Sequence, residues 1–160
     1  MKFALLIATS LAATSPMASE QETFGNWMKI KAYDAKTQER SCGVVNIDGS
    51  TTGGPTLVFI TNHKSQPPHA FAISSSRDKG EKLDYRVDGK QPMSLYIKHQ
   101  DSSPTLFIKD DEFKQIINDF KSGNKVSVTI TPIDKTKQTE TSTILLNGFS
   151  AAYKASLTCA

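Results

Sequence analysis

Short runs with strand character constrain this chain more than any other feature of its sequence. Val, Ile, Thr and aromatic residues recur in these runs, and turn formers such as Asp88-Gly89 and Asn147-Gly148 separate them. The runs span 26–33, 42–47, 56–61, 69–75, 82–88, 93–98, 105–108, 125–132 and 141–147. Many short strands at such spacing predict a mainly β fold, either an antiparallel β-sandwich or a barrel.

Two of these segments predict local detail. The run 125–131, "KVSVTIT", alternates strictly and predicts a half-buried strand. Its apolar face comprises Val126, Val128 and Ile130. Between two other runs, Asp88-Gly89 predicts a hairpin with a type I′ turn, because that turn needs positive φ at both central residues. The polar stretch 134–141, "DKTKQTET", fits a longer hairpin loop.

One segment has helical periodicity instead, and it predicts an amphipathic helix over about 110–122. Its apolar residues fall at i, i+3, i+4 and i+7 and form one stripe. They are Phe113, Ile116, Ile117 and Phe120. Asp110 or Asp111 can cap the helix start, and Gly123 can end it. Near the C-terminus, "FSAAYKASL" predicts a short second helix that lays Phe149, Ala152 and Tyr153 on the sheet.

The N-terminus has the layout of a cleaved secretory signal peptide over residues 1–19. Lys2 precedes an apolar run, and the small residues Ala18 and Ser19 precede the first acidic residue. The apolar run is too short for the roughly 20 residues of a transmembrane helix. Residues 20–160 then form a single β-rich domain. The predicted location is periplasmic, outer-membrane-associated or secreted.

Charge argues against one class of partner. The formal net charge of the whole chain is +3, with both signs mixed along it. A nucleic-acid-binding domain concentrates basic residues on one surface, so no nucleic-acid partner is predicted.

The two cysteines, Cys42 and Cys159, both lie in the predicted exported part. In an oxidising compartment two thiols of one small domain usually pair. On the chain-entropy model such a disulfide stabilises the fold by roughly 4–5 kcal/mol. The alternative is a free thiol near the C-terminus and a separate, buried Cys42.

The sequence shows no pattern of catalytic or metal-binding residues. His63 and His69 flank "KSQPP" at a spacing that fits no standard metal site, and they are interpreted with His99 as surface loop histidines. The acidic residues at 110–112 are explained by helix capping. No nucleophile elbow, phosphate-binding loop or zinc-protease motif occurs. We therefore expect no enzyme activity, no cofactor and no metal. The single tryptophan, Trp27, is expected to be a core anchor.

Two stretches together carry a resemblance. "FGNWMKI", followed by Cys42 fifteen residues after Trp27, resembles the F-G-D-W-x-V…C opening of the invasion-associated locus B family of exported bacterial proteins. The later segment 111–155 is similar to that family's ending, which consists of a helix, two strands and L-x-G-F-S/T-A-A. On this resemblance Trp27, Gly148 and Phe149 are structural motif positions. The family's local cysteines are absent here, from "KIKAYD" and from "IKHQDSSPTLFIKDD".

The resemblance implies an exported β-rich domain, linked in some relatives to host-cell invasion. Together with the signal sequence, the strand pattern and the lack of a reactive constellation, it predicts a domain without catalysis that binds a protein in the envelope or on a host surface and contributes to host-cell interaction. Two other functions remain open on the sequence alone. One is a small periplasmic enzyme inhibitor or chaperone-like factor that uses an exposed loop. The other is an enzyme whose site is assembled only by folding.

Overall fold

A computed structural model describes residues 21–34, 39–47, 54–63, 68–73, 80–96 and 110–158. Nine strands and two helices lie in these ranges. The strands are β1 (Glu22–Phe24), β2 (Trp27–Asp34), β3 (Glu39–Asn46), β4 (Thr56–His63), β5 (His69–Ile73), β6 (Gly80–Val87), β7 (Met93–Tyr96), β8 (Lys125–Pro132) and β9 (Glu140–Leu145). The helices are α1 (Asp110–Ser122) and α2 (Phe149–Leu157). The predicted signal peptide at 1–19, the run at 105–108, His99 and Cys159 lie outside the described residues.

The strands form two separate antiparallel sheets, so the sandwich is the correct one of the two predicted architectures. The five-stranded sheet has the order β1-β2-β3-β4-β5, and the four-stranded sheet has the order β7-β6-β8-β9. Strand β1, which has only three residues, was not predicted from the sequence. Each other described strand overlaps a predicted run.

The predicted hairpin turn is confirmed between β6 and β7. Asp88 and Gly89 have φ values of 46° and 75°, and the Lys90 N–H donates to the Val87 carbonyl at 2.9 Å. The Asp88 carboxylate also accepts hydrogen bonds from the backbone N–H groups of Asn124 and Lys125. These two hydrogen bonds are the main reason why the pKa of Asp88 lies below its ordinary value.

The predicted faces of β8 and α1 are also confirmed. Val126, Val128 and Ile130 are buried, while the residues between them are more exposed. All four stripe residues of α1 are buried in one core that contains side chains from both sheets and both helices. Phe120 contacts the rings of Phe59 in one sheet and Tyr85 in the other. Helix α1 therefore joins the two sheets through their shared core.

Gly123 follows the last residue of α1, as predicted, but its backbone is not left-handed. Its φ is not positive, unlike those of Gly25, Gly89 and Gly148. A Cβ atom at Gly123 would instead lie 2.2 Å from Cγ1 of Val87. The glycine is needed because the helix end packs closely against β6.

Helix α2 occupies the predicted segment and packs on strands β1 to β4 of the five-stranded sheet. Phe149, Ala152 and Ser156 form its buried side. Neither described helix is long and apolar enough to cross a lipid bilayer.

Candidate functional site

Trp27 lies at the junction between the beginning and the end of the described chain. Its side chain has no exposed surface, and its ring centroid is 4.8 Å from that of Phe149 in an edge-on arrangement. Its Nε1–H donates to the Leu145 carbonyl at 2.9 Å. Both the apolar ring and its one polar group are therefore occupied within the fold, so Trp27 offers no surface to a ligand.

Two glycines let the backbones meet at this junction. Gly148 has φ +90°, and a Cβ atom there would lie 1.8 Å from the Phe24 carbonyl oxygen. Gly25 has φ +57°, and its Cβ would lie 2.7 Å from the Asn147 carbonyl oxygen. Between them, the Asn26 N–H donates to that same Asn147 carbonyl at 3.0 Å. The motif positions Trp27, Gly148 and Phe149 thus come together in one tightly packed structural junction.

Cys42 lies beside the C-terminal end of α2. A register shift between β3 and β4 leaves Thr61 between the residues paired with Cys42 and Gly43. The Thr61 hydroxyl lies 3.2 Å from the Cys42 carbonyl oxygen and 2.8 Å from the Ser156 hydroxyl. The Ser156 hydroxyl donates to the Tyr153 carbonyl at 2.7 Å, so it accepts from Thr61. This buried chain of hydroxyls attaches the helix end to the bulge.

His63 and His69 lie at the ends of strands rather than in a loop. His63 is the last residue of β4, and His69 is the first residue of β5. Their strands pair with each other, which is why strand ends rather than a free loop carry them. The described residues contain no group of three or more potential metal ligands.

A further polar site lies on the outer face of the four-stranded sheet. Side chains alternate along a strand, so Leu83, Tyr85 and Val87 point into the core. The residues between them point outward. Together with neighbouring strands they line an open depression of about 490 Å³. We call it the outer-sheet depression and define it by Lys82, Asp84, Arg86, Ser94, Ser127 and Thr129.

Strand register brings these side chains together. Asp84 pairs with Ser94 on one side and with Thr129 on the other, and Arg86 pairs with Ser127. The next strand continues the row of hydroxyls, because Thr129 and Thr141 lie 3.1 Å apart between their Oγ1 atoms. The face is therefore rich in hydroxyl groups.

The single acidic residue of the outer-sheet depression is held by two neighbours. Asp84 accepts a hydrogen bond of 2.5 Å from Ser94 and forms a 2.9 Å ion pair with Lys82. Partial burial raises the pKa of Asp84, but the hydrogen bonds from Ser94 and Lys82 and the charge of Lys82 outweigh it and lower the pKa. Asp84 therefore stays ionised and is already neutralised by Lys82.

Comparison with solved structures finds a similar architecture in invasion associated protein B from Bartonella henselae. Its crystal structure matches with a TM-score of 0.57, over 86% of this chain and 95% of that chain, at 16% sequence identity. The two chains share a fold. At this identity the likeness concerns the fold alone, and it supports at that level the resemblance read from the sequence. No family model and no curated protein matches the sequence.

Sequence reasoning missed the outer-sheet depression. "KLDYRVD" alternates visibly, but polar residues on the solvent side are what any half-buried strand presents. Ser94 lies across the adjacent hairpin from Asp84, but the register that sets Asp84 against Thr129 depends on a strand far away in the chain. No local pattern in the sequence marks it.

Proposed function

We propose that this chain is an exported binding domain of the invasion-associated locus B type, periplasmic, outer-membrane-associated or secreted. It binds a protein partner in the bacterial envelope or on a host surface and contributes to host-cell interaction. The observation that carries the proposal is the likeness in fold to invasion associated protein B, which extends over 86% of this chain. The junction of Trp27, Gly148 and Phe149 adds support, because the stretches that resemble the family meet there.

The proposed role is binding without catalysis. The described groups with shifted pKa values owe those shifts to burial or to structural partners. Burial raises the pKa of Tyr85, as do the charge of Asp119 and the hydrogen bond that Tyr85 donates to it at 3.2 Å. Asp134 accepts hydrogen bonds from the hydroxyl and N–H of Thr136, and these lower its pKa. Such groups stabilise turns and packing, which favours a binding role.

A disulfide between Cys42 and Cys159 belongs to the proposal. The described part of the chain has no free thiol. Ser156 contacts Thr61, whose hydroxyl also lies against the Cys42 carbonyl, and Cys159 follows only three positions later. This arrangement supports a bond that fastens the end of α2 to β3, inside an oxidising compartment.

Binding is tested with the fluorescently labelled domain, residues 20–160, on intact animal cells and on isolated bacterial envelopes. We expect saturable binding to at least one of the two, displaced by excess unlabelled domain but not by an unrelated exported domain. Absence of saturable binding to both surfaces would overturn the proposed function.

The non-catalytic part has its own test. The purified domain is incubated with peptidoglycan, glycan and peptide substrates, and no turnover is expected. Hydrolysis that a single substitution abolishes, while the circular dichroism spectrum stays unchanged, would show that the domain is an enzyme.

A further inference from the structure

Arg86 is the one charged group of the outer-sheet depression without a partner among the described residues. Lys82 and Asp84 neutralise each other across 2.9 Å. Arg86 forms no hydrogen bond or ion pair with another described residue, and its side chain is exposed. The depression therefore carries one uncompensated positive charge at Arg86.

The chemistry around Arg86 suits a carboxylate. A guanidinium presents its donors in a planar fork that matches the two oxygens of a carboxylate. Ser127, which pairs with Arg86 across the strands, and Thr129 add hydroxyl donors on the same face. An incoming acidic side chain could be held by charge at Arg86 and by hydrogen bonds beside it.

The same face is poorly equipped to stack on a sugar ring. Tyr85 also lines the depression, but it is 3% exposed and its ring packs against Phe120 of α1. Apart from Tyr85 and Pro92, the residues that line the depression are charged or hydroxyl-bearing. Charge complementarity, rather than aromatic stacking, is the means of recognition that this surface offers.

We propose that the outer-sheet depression binds an acidic segment of a protein partner, with one carboxylate seated on Arg86. This rests on the proposed function, since it names the surface and the chemistry of that binding. Asp84 sets a limit on the partner. Asp84 lies two residues from Arg86 on the same face, about 7 Å away along the strand. Its negative charge disfavours a second carboxylate of the partner close to Asp84.

The test is a binding titration with a defined probe at low ionic strength. The probe is a labelled ten-residue peptide of alternating glutamate and serine, and a peptide with glutamine in place of glutamate is the neutral control. We expect Arg86→Gln to weaken binding of the acidic peptide by about tenfold or more, because it removes a charge-assisted hydrogen bond. Arg40→Gln is the matched control, since Arg40 is also exposed but lies in the other sheet. It should change the affinity by less than twofold.

Asp84→Asn provides a variant with the opposite sign. It removes the negative charge near Arg86, so binding of the acidic peptide should become severalfold tighter. A merely damaged surface would not bind more tightly. Unchanged melting temperatures of all three variants confirm that each remains folded.

Three results would overturn the inference. The first is an equal loss of affinity for the acidic peptide in Arg86→Gln and Arg40→Gln. The second is equal affinity of the domain for the acidic and neutral peptides. The third is binding of polygalacturonate that depends on Arg86, with no binding of the acidic peptide. Each leaves the proposed function standing if the domain still binds cells or envelopes saturably. Absence of that saturable binding identifies failure of the proposed function itself.

Discussion

Replacing Gly148 with alanine tests the junction between the two ends of the chain. The left-handed backbone at Gly148, with φ +90°, costs an L-residue about 1–2 kcal/mol. The new methyl group would also stand 1.8 Å from the Phe24 carbonyl oxygen, a backbone atom that no side-chain rotation can move away. The two backbone segments must therefore separate.

Separation threatens two hydrogen bonds that cross the junction. One runs from the Asn26 N–H to the Asn147 carbonyl at 3.0 Å, and the other from the Trp27 indole to the Leu145 carbonyl at 2.9 Å. At about 1 kcal/mol each, their loss and the backbone strain together destabilise Gly148→Ala by about 3–4 kcal/mol. That is a large share of the roughly 5–15 kcal/mol that stabilises a typical domain.

Gly89→Ala is the matched control. Gly89 also has positive φ, +75°, but nothing lies within 4 Å of a Cβ atom placed there. Gly89→Ala should lose only the stability that backbone strain costs, about 1–2 kcal/mol. Urea unfolding followed by the fluorescence of Trp27, the single tryptophan, measures both variants. With an m value of about 2 kcal/mol per M, the midpoint of Gly148→Ala should lie about 1 M below that of Gly89→Ala. Equal midpoints would refute the argument from close approach.

Three further predictions concern the thiols, an acid-sensitive turn and the indole. Domain taken from the periplasm should show no free-thiol labelling when denatured, and reduction should cost roughly 4–5 kcal/mol of stability; stoichiometric labelling of Cys42 and Cys159 would exclude the bond. The pKa of Asp88 is lowered by folding, so its stabilising effect is complete above the unfolded pKa near 4 and is lost as pH falls through the folded pKa. In Asp88→Asn, whose side chain tolerates the same positive φ, the urea unfolding midpoint should depend less on pH across that acid range. An unchanged pH dependence would contradict this role of Asp88. Trp27→Phe should cost about 2–3 kcal/mol by circular dichroism, because it leaves the Leu145 carbonyl without its donor and removes volume from the core, whereas a loss below about 1 kcal/mol would argue against this role.

Local periodicity predicted much of the fold correctly. The stripe of α1 and the alternation of β8 each depend on residues a few positions apart, so the segment itself contains the information. Helix α1 spans Asp110–Ser122 and β8 spans Lys125–Pro132, the same ranges as predicted. Strand β1 escaped prediction because three residues are too few to show a period.

Features that depend on distant contacts were not predictable in the same way. Gly123 was correctly placed after the helix, but its cause, the side chain of Val87, belongs to another element. The outer-sheet depression likewise arises from the register of β6, β7 and β8. A polar residue such as Arg86 looks the same in the sequence whether its neighbours across the sheet neutralise it or leave it open.

The junction at Trp27 also determines when the domain can finish folding. The indole reaches a carbonyl 118 positions later in the chain. A growing chain must therefore leave its tryptophan pocket open until the final segment has been made, because so distant a contact cannot form earlier.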